Sequence, residues 1–123
     1  MLQIWITQLD DIVEIVTSVG VSGVIATNTT INRSGLLTST SEVENIGAGG
    51  LSGSPIRSRS TEVVRYLSEK SAGAFPIIGV GGVDGVEAAR EKLDAGASLV
   101  QIYSCMIYKG PVLASKIVKG LNS

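Results

Sequence analysis

The sequence contains no histidine, which removes Ser-His-Asp and Cys-His nucleophilic mechanisms, histidine-ligated metals and the usual proton shuttle near neutral pH. Its single cysteine, Cys105, allows neither an internal disulfide nor a CxxC site and fits a reducing compartment. Charge of one sign is not in excess. Ten Lys and Arg against eleven Asp and Glu give a formal net charge of −1, so no basic field exists to hold nucleic acid or an anionic membrane surface. No run of about 18 apolar residues occurs, so no transmembrane segment is expected. The segment beginning at Met1 lacks a basic n-region and a small-residue cleavage site, so it does not read as a signal peptide, and a cytoplasmic location is expected.

What is present is enough for one domain: 123 residues, 44% of them hydrophobic. Leu9, Ile12, Val13, Val16 and Val19 recur at helical spacing, with Thr7 and Asp10 resembling a capping box and Gly20 at the C′ position. Gly23 to Thr27 is a short β-branched run without polar alternation, the pattern of a parallel strand buried on both faces. From 28 to 59 the chain is rich in Ser, Thr, Asn and Gly and reads as a long loop. Ser60 looks like the N-cap of a helix reaching about Ser71. Pro76 to Val80 reads as a strand, Gly81-Gly82 as a tight turn, and Asp84 with Glu87 as the capping box of a helix from Gly85 to Ala95. Ser98 to Tyr103 reads as the next strand, and Pro111 stands at N1 of a last helix. The secure strand-helix units begin at about residue 21; Leu2 to Ile6 has the alternation of a fourth strand. Helices alternating with strands predict an α/β fold with a parallel sheet and right-handed crossovers, in one domain spanning 1–123.

Ligands of parallel α/β sheets bind at the carboxyl ends of the strands. There the sequence places Thr27-Asn28-Thr29-Thr30, a set of short donors and acceptors suited to a planar polar ligand, then Gly81-Gly82, whose backbone can approach an anion, then Tyr103-Ser104. Each has a plainer reading. A lone diglycine is more often a tight turn than a phosphate cradle, Thr27 to Thr30 alone can be a solvated strand end, Gly49 to Gly53 a flexible linker, and Tyr103 a packing residue. Cys105, with no histidine to activate it, reads as an inert, partly buried thiol. The coincidence of ligand-competent residues at successive strand ends, joined by a glycine-rich loop, favours a site.

The runs Gly23-Val24-Ile25-Ala26-Thr27-Asn28-Thr29-Thr30, Gly49-Gly50-Leu51-Ser52-Gly53 with Pro55, Arg57 and Ser60, Pro76 to Val83, and Gly96 to Ser104 together resemble the C-terminal half of the dihydroorotate dehydrogenase family. Tyr103-Ser104 resembles its class 2, quinone-dependent branch. The resemblance implies a partial TIM (β/α)8 barrel, since a full one takes about 250 residues. It implies FMN at the carboxyl face and oxidation of dihydroorotate to orotate in pyrimidine synthesis, with quinone as the electron acceptor and the parent enzyme peripheral to the membrane. Carried over by motif, Thr27, Ser52 and Gly53 contact the flavin, Gly81, Gly82, Tyr103 and Ser104 take its phosphate, and Asn28 and Thr29 bind the orotate ring.

The same resemblance implies what is missing. The family's catalytic serine, further substrate asparagines and a flavin-contacting lysine lie in stretches this sequence does not contain, so no catalytic residue is assigned and little turnover is expected of the chain alone. A half barrel leaves open sheet edges and an uncovered apolar face, from which self-association or pairing with the missing half is expected. Two other readings compete. One is a non-catalytic α/β assembly module in which the motifs are only turns; the other is a barrel half that binds a phosphorylated metabolite.

Overall fold

The computed structural model describes residues 2–123. Its elements are α1 (Leu2–Val19), β1 (Val24–Ala26), α2 (Thr40–Ile46), a 3₁₀ turn (Ser54–Ile56), α3 (Arg57–Ser71), β2 (Ile77–Val80), α4 (Val86–Asp94), β3 (Leu99–Gln101), α5 (Ser104–Lys109) and α6 (Val112–Leu121). The strands form one parallel sheet in the order β1-β2-β3, so the alternation read from the sequence gives the parallel α/β architecture expected.

The helices bury one face of this sheet. Leu9 of α1 and Val63, Val64 and Leu67 of α3 pack with Ala26, Phe75, Ile77, Ala95 and Ala97. A second cluster joins Val83, Ala89, Cys105, Leu113 and Ile117 beneath α4 and α6. The other face is open, contrary to a strand buried on both sides. Ile25, Ile78 and Leu99 stand side by side in register across the three strands, and Ile25 and Leu99 are each 62% exposed. In a closed barrel this face points inward, where side chains from the remaining strands would cover it.

Tertiary partners override several local expectations. Leu2 to Ile6 belongs to α1 and is no strand: the helical repeat that starts at Leu9 extends back through it, and Trp5 packs edge-on to Tyr66 with the Arg59 guanidinium over its ring. Thr7 is therefore inside the helix rather than at its cap, and Asp10 serves α3 instead, accepting a 2.6 Å bond from the Tyr66 hydroxyl and pairing with Lys70 at 3.3 Å. Helix α3 begins at Arg57, straight after the 3₁₀ turn that Pro55 helps to start, so Ser60 is not a cap; it is buried and its hydroxyl donates to the Val80 carbonyl. Asp84 and Glu87 form no capping box either. Gly85 caps α4 without a side-chain bond, and both carboxylates turn to Arg57, at 3.7 and 3.8 Å.

The 28–59 region is more ordered than a loop. A capping box between Ser39 and Glu42 starts α2, and the Arg33 guanidinium donates to the carbonyls of Val43, Gly47 and Gly49. Thr30 and Leu51 exchange backbone hydrogen bonds of 3.0 and 2.7 Å at the base. The strand expected to reach Tyr103 ends at Gln101, and Ser104 opens the short helix α5.

Contacts at Asp10 and Glu91 make the fold less stable in acid. The Tyr66 hydroxyl, then Lys70, holds the Asp10 carboxyl below its ordinary range, and Arg57 does the same for Glu91. Both groups bind protons less readily folded than unfolded, so their stabilisation is complete above about pH 5 and is lost as pH falls through and below about 4. Thermal melts should be flat from neutral pH to about 5 and fall below it, with a shallower fall in Asp10→Asn.

Candidate functional site

A cleft of about 560 Å³ opens on the uncovered face at the carboxyl ends of the strands. Each strand delivers residues to it by the period-two rule that sends alternate side chains to one face. Ile25 and Thr27 come from the end of β1, Val80 from β2, and Gln101 and Tyr103 from β3 and its continuation. The structure brings Thr27, Asn28, Thr29, Ser52, Gly53, Gly81, Gly82, Tyr103 and Ser104 into this one cleft, whereas Thr30, grouped with them in the sequence, is not in its lining and bridges Leu51 instead.

The glycine turn is shaped by α3. Gly81 and Gly82 have φ of 118° and 68°, in the left-handed region that side chains disfavour. A Cβ on Gly82 would stand 2.5 to 2.8 Å from the Cβ, Cα and N of Arg57, and one on Gly81 would stand 2.9 Å from Ser60 Cβ. The turn thus presents backbone to the cleft while pressed against the first turn of α3. The helix read from Gly85 to Ala95 is α4, Val86–Asp94, so three residues separate the diglycine from its first helical residue.

The loop is seated as closely. A Cβ on Gly50 would fall 1.9 Å from Thr29 Oγ1, so the absence of a side chain there lets Gly50 lie on the Thr29 side chain. The Ser104 hydroxyl then bonds Ser52 Oγ at 2.8 Å, linking the loop to the end of β3. The Asn28 side-chain oxygen accepts from the Thr29 backbone N–H at 2.8 Å. Cys105 is buried at the cleft wall, and desolvation raises its thiol pKa, which keeps it protonated and unreactive near neutral pH. Among the described residues the lining includes hydroxyls, the amides of Asn28 and Gln101 and turn backbone, but no carboxylate or lysine.

Arg57 and Gln101 stand within the runs that carry the resemblance but were given no role from the sequence, and Lys92 was not singled out. Gln101 was detectable as the one polar residue in an apolar strand, two positions from Leu99 and hence on the same face. Arg57 and Lys92 act through tertiary contacts that no local pattern announces. The Arg57 guanidinium donates to both Glu91 carboxylate oxygens, at 2.9 and 2.7 Å.

A parallel sheet with helices packed on it and a cleft at the carboxyl ends of its strands is the architecture of a segment of a (β/α)8 barrel. The chain belongs to the dihydroorotate dehydrogenase family, whose model matches residues 3–123. It is 61% identical over 110 residues to a dihydroorotate dehydrogenase (quinone) of Christiangramia forsetii, covering 89% of this chain and 31% of that protein. It is 55% identical over 114 residues to one of Aeromonas salmonicida, covering 89% and 33%. A crystal structure of DHODH from Eimeria tenella in complex with ferulenol superposes with a TM-score of 0.85 at 37% identity, over 94% of this chain and 30% of that one. The chain therefore spans about a third of the length of these curated relatives.

Proposed function

We propose that the cleft is the phosphate end and part of the pyrimidine end of an FMN-dependent site for oxidising dihydroorotate to orotate, with quinone as the final electron acceptor. The observation that supports this most is convergence: hydroxyl, amide and glycine positions far apart in sequence meet around one cleft of a size suited to a small ligand. The residues fit the group. A positive-φ turn without side chains in the same cleft as Tyr103 and Ser104 suits a phosphate, and the Asn28 amide with the Thr29 hydroxyl suits the carbonyl and N–H edge of a pyrimidine. Thr27, Ser52 and Gly53 then flank the flavin ring.

FMN when bound supplies the hydride acceptor. This chain's residues bind and orient: the Gly81-Gly82 backbone and the Ser104 hydroxyl fix the phosphate, while Asn28 and Thr29 set the pyrimidine against the flavin. Proton removal from the substrate is assigned to no residue of this chain, so the chain alone should turn over little or no dihydroorotate. The uncovered Ile25-Ile78-Leu99 row is the surface through which it self-associates or pairs with the rest of a barrel.

The test mixes the chain with FMN, desalts it, and measures visible absorbance and sedimentation on the same sample. Retained flavin absorbance in an associated species is the expected result. Complete loss of flavin on desalting overturns the cofactor reading, and a compact monomer overturns the association.

A further inference from the structure

Lys92 is the largest fully buried side chain among the described residues, and it lies outside the cleft lining. Its stem runs from α4 beneath β2 through space that Gly79 leaves free: a Cβ there would stand 3.1 Å from Lys92 Cβ and 3.3 Å from its Cδ. The ammonium ends at the start of α3, donating to the Arg57 carbonyl at 3.0 Å and to Thr61 Oγ1. This is a costly place for a cation. The positive end of the α3 dipole disfavours it, and burial lowers its pKa from 10.5 to about 8. The charged groups around it are Glu91, which favours the ammonium, and Arg57, which opposes it and is itself held by Asp84, Glu87 and Glu91. An apolar side chain of the same length would fill the volume without that penalty, so packing alone does not account for a lysine here.

What the ammonium holds is the residue against which the glycine turn is pressed. Arg57 Cβ, Cα and N are the atoms that a Cβ on Gly82 would strike, and Ser60, one turn on, ties the Val80 carbonyl at the end of β2. We propose that Lys92 is a positioning residue for the anion-binding turn: by fixing the Arg57 carbonyl from below, it sets the first turn of α3 and through it the orientation of the Gly81-Gly82 backbone. The inference rests on the reading of that turn as the flavin phosphate seat.

The test compares Lys92→Met with the parent chain in affinity for FMN and for riboflavin, which lacks the phosphate. In the variant the FMN-to-riboflavin affinity ratio should fall about tenfold while riboflavin affinity and thermal midpoint are maintained or the midpoint rises. An unchanged ratio overturns the proposal, and so does a parallel loss of both affinities, which would make Lys92 a support of the fold alone. Thr61→Val, which keeps the lysine and removes one acceptor, should lower the ratio about threefold and serves if Lys92→Met does not fold. If the parent binds neither flavin, the cofactor reading fails by itself, and the positioning role is decided by amide hydrogen exchange in the free chain. Exchange at Gly81 to Val83 should then be about tenfold faster in Lys92→Met, with α1 amides unchanged; equal exchange at the turn overturns it.

Discussion

Replacing Gly82 by valine should both destabilise the chain and abolish flavin retention. At φ 68° an L side chain costs about 1–2 kcal/mol, and forcing a Cβ to within 2.5 to 2.8 Å of Arg57 adds an overpacking cost of about 1–3 kcal/mol. The neighbouring atoms are the backbone and the rigidly attached Cβ of Arg57 at the head of a helix tied to Glu91 and Lys92, so they cannot swing aside as a side-chain tip would. A total of about 3 kcal/mol should lower the thermal midpoint by about 12 °C in a domain of this size. Retention of FMN after desalting should disappear even at temperatures where the variant is folded, because the phosphate seat itself is displaced.

Gly96→Ala should cost as much stability and leave the site intact. Gly96 closes the connection from α4 to β3 at φ 106°, where its N–H donates to the Leu93 carbonyl at 2.9 Å. A Cβ would lie 2.0 Å from Ser68 Oγ and 2.5 Å from Ser68 Cβ, so α3 would have to retreat from the αβ turn. Strain and overpacking again sum to about 3 kcal/mol. Neither Gly96 nor Ser68 lines the cleft, so at a temperature where the variant is folded FMN retention should match the parent. Measured together by calorimetry and desalting, the two variants separate the site from the fold. If both lose flavin in proportion to lost stability, Gly82 acts only through folding and the phosphate assignment to the turn fails.

Both glycines were visible in the sequence as turn formers, but the clashes that make them irreplaceable were not. Arg57 and Ser68 face them from α3, a different element in each case from those the turns connect. The same division runs through the helix starts. Thr7 with Asp10 and Asp84 with Glu87 have capping spacing, yet Thr7 lies inside α1 and the acidic residues meet Tyr66, Lys70 and Arg57 of α3, partners that spacing along the chain does not reveal. In 28–59, the Ser39 and Glu42 spacing was a legible helix start that composition obscured. The latch by Arg33 was not legible, since it reaches carbonyls ten to sixteen residues away.

By itself the sequence determined the order of the three strands and of α1, α3, α4 and α6 around them, because apolar period and glycine punctuation are local properties of the chain. It also determined which residues stand at the carboxyl ends of the strands, since a parallel sheet sends all those ends to one side. Only the tertiary structure decided that these ends enclose a single cleft, that one sheet face is uncovered, and that a buried lysine and an arginine brace the glycine turn from behind. Those features depend on which side chains meet across elements, and the free energies of such meetings, in burial, charge pairing and excluded volume, are set by spatial neighbours that sequence spacing does not specify.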